Sequence, residues 1–410
     1  MSSLIDSAPA MASSTTSPDG PSSTPYVMQV IDSFDSMGIP DELLRGIYSF
    51  GFESPSEIQK RAILPMMERR DIIAQAQSGT GKTGTFVIGS LCCIDPTINS
   101  AQVIVLSPTR ELAQQSASVA QGIGEYYKIK TLVAVGGNQV RDDCRALSNG
   151  AQFIVGTPGR IFDLLRRGDL SPRHIKYIVI DEADQMLEDL FIDQVKTILG
   201  FGFPATARIA LFSATMPQQV IDITEEFLQD PVRILLPPDQ VTLAGIRQYY
   251  VEIDTEDNKL SALLDIYSNI TISQAIIYVN RRQKAEWLAS EMGRAGFTLK
   301  CIHGEMSPDE RKRCMADFRS GTVRVLISTD LTARGIDVQQ VSTVFNYELP
   351  RDRENYVHRI GRSGRYGRKG VAINLISPDE MPLMQNIMDT YSTKIEPIPE
   401  DLNKLNQVRE

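Results

Sequence analysis

Short runs of aliphatic and β-branched residues recur along most of the chain, each followed by a helix-length stretch, and this alternation restricts the fold more than any other feature. In the first half the runs are Ile72–Ala74, Val103–Leu106, Leu132–Val135, Phe153–Val155, Tyr177–Ile180 and Ile209–Phe212. Leu236-Pro237-Pro238-Asp239 then interrupts the pattern, because adjacent prolines fit neither a helix interior nor a central strand. Beyond it the alternation restarts at Tyr249–Ile253, Ala275–Val279, Leu299–Ile302, Val323–Ile327, Ser342–Phe345 and Val371–Leu375. Near-continuous apolar strands separated by helices require parallel sheets covered on both faces. The sequence therefore predicts an α/β protein of two tandem domains, 34–235 and 245–400, joined by a linker at 236–244. Residues 1–33 are rich in Ser, Thr, Pro and Ala without an apolar period and read as a disordered tail, with 401–410 as a second tail.

Charge and cysteine usage remove several function classes. The 42 basic residues are outnumbered by 51 acidic ones, for a net charge of −9, so bulk charge cannot serve as a polybasic coat for nucleic acid. No uncharged apolar run reaches the roughly 18 residues of a membrane span, which predicts a soluble protein with no membrane partner. The first basic residue is Arg45, leaving no basic segment for a signal or transit peptide. The five cysteines, Cys92, Cys93, Cys144, Cys301 and Cys314, are odd in number and form no C-x-x-C pair. They predict neither a disulfide framework nor a zinc site, and a reducing compartment suits them.

The first chemistry-bearing motif follows the run ending at Ala74. Ala76-Gln77-Ser78-Gly79-Thr80-Gly81-Lys82-Thr83 matches G-x-x-x-x-G-K-[ST] apart from Ala76 at the first glycine. Gly79 and Gly81 allow successive backbone N–H groups to face one anion, and the next helix points its N-terminus there. Lys82 can reach β- and γ-phosphates and the Thr83 hydroxyl suits Mg²⁺, so the cofactors predicted are ATP and Mg²⁺. The plainer alternative is a glycine-rich strand-to-helix turn. A second motif, Asp181-Glu182-Ala183-Asp184, ends the buried run Tyr177–Ile180. At the carboxyl edge of a sheet Asp181 can hold Mg²⁺ and Glu182 can orient or deprotonate an attacking water. Alone, such acids are equally a charge cluster at a helix start.

A third motif lies in the second half, His358-Arg359-Ile360-Gly361-Arg362-Ser363-Gly364-Arg365. Residues 351–370 carry six Arg and one Lys against two acids. Such a run is commonly a solvated face. Arg362 and Arg365, spaced among glycines, are nevertheless suited to stabilise γ-phosphoryl charge from across a cleft.

Taken in order, these motifs resemble the DEAD-box RNA helicases. Further matches are Pro108-Thr109-Arg110-Glu111-Leu112, Gly136-Gly137, Thr157-Pro158-Gly159-Arg160, Ser213-Ala214-Thr215, Ser328-Thr329-Asp330 and Ala333-Arg334-Gly335-Ile336-Asp337. Gly51–Gln59 looks like the family's Q motif, with Phe34 as its upstream aromatic. The resemblance implies two RecA-like domains and an RNA-dependent ATPase that locally unwinds short duplexes. It implies that Phe52 stacks on adenine, Gln59 reads the base edge and Asp337 holds the ribose. Ser213, Thr215 and His358 would couple the nucleotide to RNA through Asp184. RNA would meet Pro108, Thr109, Arg110, Gly137, Thr157, Gly159 and Arg160 in the first domain, and Asn280, Arg282, Gly304, Thr329 and Arg334 in the second. Contacts of loop tips to phosphate and sugar carry no base specificity, and the 2′-OH excludes DNA.

Within the family the resemblance points to translation initiation, with mRNA as substrate. The implied partners are a HEAT-repeat initiation scaffold and an RNA-binding cofactor, the chain itself being monomeric and cytoplasmic, with the nucleus also open. Two rival readings remain at this point, an ATP-dependent RNA clamp of the exon-junction type and a DNA translocase. The chain departs from the common pattern at Asn280-Arg281-Arg282, where Asn-Thr-Arg is usual, at Gln185, and at 200–205 and 401–410. His174 and His303 have no second ligand at metal spacing and read as satisfied structural histidines. Trp287 reads as core, and Cys92 and Cys93 as packing in an apolar helix.

Overall fold

Strands form where the apolar runs predict them, and their order decides which loops become neighbours. The computed structural model describes residues 26–76, 79–187, 191–235, 246–330, 341–363, 370–402 and 405. In the first sheet the strands are β1 (Ile72–Gln75), β2 (Val103–Leu106), β3 (Thr131–Ala134), β4 (Phe153–Gly156), β5 (Tyr177–Asp181), β6 (Arg208–Ser213) and β7 (Val232–Leu235). The second sheet contains β8 (Ile246–Glu252), β9 (Ala275–Tyr278), β10 (Leu299–Ile302), β11 (Val325–Ser328), β12 (Thr343–Asn346), β13 (Gly370–Ile376) and β14 (Ile395–Pro397). All pairings are parallel, in the orders β3-β4-β2-β5-β6-β1-β7 and β10-β11-β9-β12-β13-β8-β14. The two orders are one winding used twice, so the domains are topological repeats.

Alternate residues of each central strand feed opposite faces of the sheet. Val103 and Val105 enter one core with Phe86 and Phe212, while Ile104 and Leu106 enter another with Ile161 and Val195. The second sheet is covered in the same way, with Tyr278 and Leu326 on one face and Ile277 and Ile327 on the other. Both faces being buried is why these strands read as unbroken apolar runs. Among the described residues no helix is long and apolar enough to cross a membrane.

Two expectations for the chain ends need correction. Residues 26–33, placed with the disordered tail, lie on the helix Glu57–Met67: Ile31 N–H donates to Lys60 O (3.1 Å), Lys60 pairs with Asp32 (2.8 Å), and Tyr26 Oη donates to Glu68 (2.9 Å). Leu405, placed in the C-terminal tail, is fully buried in the second domain. The linker, including Pro237 and Pro238, falls outside the described residues.

Candidate functional site

In a doubly wound sheet the loops at the carboxyl ends of the strands form the binding edge. The order β5-β6-β1 puts the ends of three strands side by side, with Gln75 level with Ser213 and Asp181 level with Phe212. The loop after β1 turns through Gly79 (φ 86°) and Gly81 (φ 99°), backbone geometry that glycine adopts freely, into the helix Lys82–Leu91. Lys82 is buried, and its Nζ pairs with Glu182 Oε2 at 3.2 Å. Glu182 is itself in the left-handed region (φ 49°), an uncommon conformation for a residue with a side chain, and its N–H donates to Asp181 Oδ1 at 3.0 Å.

These two adjacent carboxylates are pushed apart electrostatically. Burial raises Asp181, and the Glu182 charge raises it further. Burial acts upward on Glu182 too, but the charges of Lys82, His358 and Arg362 more than offset it and hold that carboxyl below its ordinary range. Glu182 is thus kept ionised, as a base must be, beside an acid that holds its proton more readily.

Asp184 is the junction between the domains. Its N–H donates to Ser213 Oγ (3.2 Å), and its Oδ2 accepts from Thr215 Oγ1 (2.7 Å) and lies 2.9 Å from His358 Nε2 of the other domain. Arg362 Nε donates to His358 O at 3.1 Å, which places this buried arginine behind the same contact. Glu182, Asp184 and His358 bring three donor atoms within 4.8 Å of one another, but Lys82 and Thr215 already engage the two carboxylates. Of the two residues expected at Mg²⁺, Thr83 lies at the first turn of the helix Lys82–Leu91 and Asp181 at the end of β5. Gln77, Ser78, Asp337, Arg334 and Arg365 lie outside the described residues.

Beside the phosphate loop the predicted adenine residues converge. Gln59 Oε1 accepts from Ser56 N–H (2.8 Å) and its Nε2 donates to Gly81 O (3.3 Å). Phe52 is half-buried, and Phe34 is almost fully buried with its ring edge-on to Phe52 (centroids 6.5 Å), so Phe34 backs Phe52 rather than presenting its own face. Gly84, which sequence reasoning missed, makes the approach possible. A Cβ there would lie 2.7 Å from Gln59 Nε2 and 3.0 Å from Phe52 Cζ. A glycine one position after the Lys-Thr pair was its only signal.

The other half of the first edge, β3-β4-β2, carries the residues expected at RNA. Arg110 reaches over Gly137, where a Cβ would come within 2.6 Å of its Nη1. Thr109 caps the helix Arg110–Gly124 by accepting from Leu112 N–H (3.2 Å). Thr157 and Gly159 open the helix Pro158–Arg167, with Gly159 exposed. Two expectations change here. Pro108 is buried, and Arg160 is held within the protein by the buried Asp143 and by Asn138 O (2.8 Å). In the second domain Gly304 and Thr329 follow β10 and β11, the corresponding half of that edge. Arg282 is exposed and pairs with Glu286 (2.8 Å) and Glu305. Asn280, expected at RNA, is instead a strut: its Oδ1 accepts from Arg359 (2.7 Å) and its Nδ2 donates to Leu349 O (2.8 Å). Arg359 is fully buried and also pairs with Asp330 (2.5 Å), so of the basic run it is the structural member. A second contact between the domains, Arg311 to Glu111 at 3.3 Å, was not anticipated.

Of the residues read as bland, His303 has Nε2 3.3 Å from Glu286 but a buried Nδ1 without a partner among the described residues, so only half of its ring is engaged there. Trp287, expected in the core, is 41% exposed.

A phosphate-loop edge facing a basic motif across two RecA-like domains defines a nucleotide-driven helicase engine, and comparison with known proteins agrees. Residues 56–223 match the DEAD/DEAH box helicase family and 258–367 the helicase conserved C-terminal domain. The chain is 52% identical to the ATP-dependent RNA helicase eIF4A of Chaetomium globosum over 371 residues, covering 90% of this chain and 93% of that protein. It is 50% identical to the eIF4A of Neurospora crassa with the same coverage. To the ATP-dependent RNA helicase FAL1 of Meyerozyma guilliermondii it is 49% identical, covering 92% and 95%. The chain belongs to the DEAD-box family and is an ATP-dependent RNA helicase of the eIF4A type. Saccharomyces cerevisiae Dbp5 bound to RNA and ADP BeF3 superposes with a TM-score of 0.85 at 36% identity, covering 92% of this chain and all of that one. Dbp5 bound to nup159, gle1, IP6 and ADP reaches 0.64 at 34% identity, covering 90% and 99%. The domain arrangement here is therefore closer to the RNA-bound form.

Proposed function

We propose that the chain unwinds short RNA duplexes locally during translation initiation, by closing its two domains over ATP and one RNA strand. The single observation that carries the reading is the division of both sheet edges. In each domain the half β3-β4-β2, or its repeat β10-β11-β9, bears the RNA loops, and the adjoining half bears the groups assigned to the ATP phosphates and their hydrolysis. One closure therefore completes both sites, and each ligand favours the state that binds the other.

In this scheme Lys82 and the backbone N–H groups of the glycine loop hold the phosphates, Phe52 and Gln59 hold the adenine, and Asp337 the ribose. Thr83 and Asp181 would hold Mg²⁺, which when bound neutralises phosphate charge. Lys82 exchanges Glu182 for phosphate oxygen as ATP enters, which leaves the ionised Glu182 able to orient and deprotonate water. Arg362 and Arg365 stabilise the charge that develops on the transferred γ-phosphoryl group. Asp184 senses closure through Thr215 on its own domain and His358 on the other. Thr109, Arg110, Gly137, Thr157, Gly159, Arg282, Gly304, Thr329 and Arg334 hold one strand by its backbone, bent away from duplex geometry. Hydrolysis removes the γ-phosphate contacts and the domains part.

The likeness to eIF4A proteins supports initiation over an exon-junction clamp. On this reading the chain works as a cytoplasmic monomer recruited by a HEAT-repeat scaffold and an RNA-binding cofactor. The test is ATP hydrolysis with and without single-stranded RNA, combined with strand separation of a short duplex. Hydrolysis stimulated by RNA with measurable separation is expected; RNA held after hydrolysis without separation would favour the clamp.

A further inference from the structure

The second domain has a cavity that the helicase cycle described above does not use. It measures about 670 Å³ and lies beside the carboxyl ends of β9 and β12, with Arg281, Lys284, Trp287, Glu256 and Arg351 among its walls. A smaller cavity of about 190 Å³ adjoins it and shares Asn280, Arg281 and Arg351. Trp287 is the only tryptophan of the chain, and it stands 41% exposed at this wall. Its indole is held in place: Lys284 Nζ lies 4.6 Å from the ring centroid and is itself tied to Glu256 at 2.7 Å. An exposed aromatic fixed in a cavity is a surface for stacking a flat ligand.

The charges beside it say which flat ligand. Neighbouring cations are already paired, Arg282 with Glu286 and Glu305, Arg359 with Asp330, and Lys284 with Glu256. Arg281 and Arg351 have no carboxylate partner among the described residues. Three acids share the walls, but Glu256 is held by Lys259 and Lys284 and Glu348 accepts from Asn280 N–H (2.6 Å), which leaves Asp257 as the remaining carboxylate. Two guanidinium groups that no carboxylate engages, next to a stacking ring, match a phosphate joined to a base. In the chain Arg281 directly precedes Arg282, which the proposed function gives to RNA.

We propose that this cavity is an additional RNA subsite, taking one nucleotide beyond the strand held by the sheet-edge loops. The base stacks on Trp287 and its phosphate lies on Arg281 and Arg351. The subsite rests on the RNA reading of Arg282, Gly304 and Thr329, and the experiment separates the two. Because Trp287 is the sole tryptophan, its emission reports occupancy directly. Strands of about six and about twelve nucleotides are titrated in the presence of a non-hydrolysable ATP analogue. The longer strand is expected to quench the emission and to bind about fivefold tighter than the shorter. Trp287→Ala and the double variant Arg281→Ala/Arg351→Ala should each bring that ratio towards one, and the double variant should keep the emission unquenched. Equal affinity of the two strands with unchanged emission would overturn the subsite while leaving the sheet-edge reading intact. A ratio that survives both variants would do the same. Failure of both strands to bind would overturn both.

Discussion

Replacing His358 by alanine isolates the contact through which the two domains meet at the nucleotide site. His358 Nε2 lies 2.9 Å from Asp184 Oδ2, both side chains buried. A hydrogen bond to a charged partner contributes about 1.5–3 kcal/mol. In the open state water serves both groups, so nearly all of that difference falls on closure. A loss of about 2 kcal/mol corresponds to roughly a 30-fold change in the closing equilibrium. Asp184 keeps Thr215 Oγ1 at 2.7 Å, so the first domain remains assembled in the variant. The assay is RNA affinity by fluorescence anisotropy, with and without a non-hydrolysable ATP analogue. The factor by which the analogue tightens RNA should fall about 30-fold in His358→Ala, and the factor by which RNA tightens the analogue must fall equally. Unchanged coupling in either direction would refute the assignment of Asp184 and His358 as the closure contact.

Three other perturbations follow from the geometry. Gly84→Ala should raise the KM for ATP severalfold, since its Cβ would lie 2.7 Å from Gln59 Nε2 and 3.0 Å from Phe52 Cζ; an unchanged KM would remove Gln59 and Phe52 from the adenine site. Reversing either charge of Glu111 and Arg311, 3.3 Å apart between domains, should weaken ATP–RNA coupling by about 1 kcal/mol, with the double swap restoring most of it. Burial pushes the Cys301 thiol up to about 12 and that of Cys314 to about 11, so fewer thiolates exist at any pH below those values. Alkylation of the native protein at about pH 8 should therefore be slow at both sites and speed up on denaturation, as read by peptide mass analysis; fast native labelling would contradict that burial.

How far the sequence carried depended on whether a residue's surroundings were local. The central strands were legible because burial on both faces leaves an unbroken apolar run, as in Val103–Leu106 and Ala275–Tyr278. The edge strands β7 and β14 were not. Val232–Leu235 alternates buried and exposed residues, and Ile395–Pro397 is three residues long with two of them exposed. Trp287 was misplaced because an aromatic in a helix suggests core. In the helix Arg282–Arg294 the buried face is Ala285, Leu288 and Met292, and Trp287 falls outside that stripe. The phosphate loop and the tetrad were legible because backbone geometry and chemistry impose their spacing. Asn280 and Arg160 were not, since partners distant in sequence, Arg359 and Asp143, engage them.

The most direct measurement of the central claim is steady-state ATP hydrolysis alone, with single-stranded RNA and with matched DNA, for the protein and for Glu182→Gln. Glu182, 3.2 Å from Lys82 and held ionised, is the base of the scheme. Strong stimulation by RNA only, reduced by a factor of about 100 or more in the variant, is the predicted result. Equal stimulation by DNA, or RNA-stimulated hydrolysis that survives Glu182→Gln, would contradict the account.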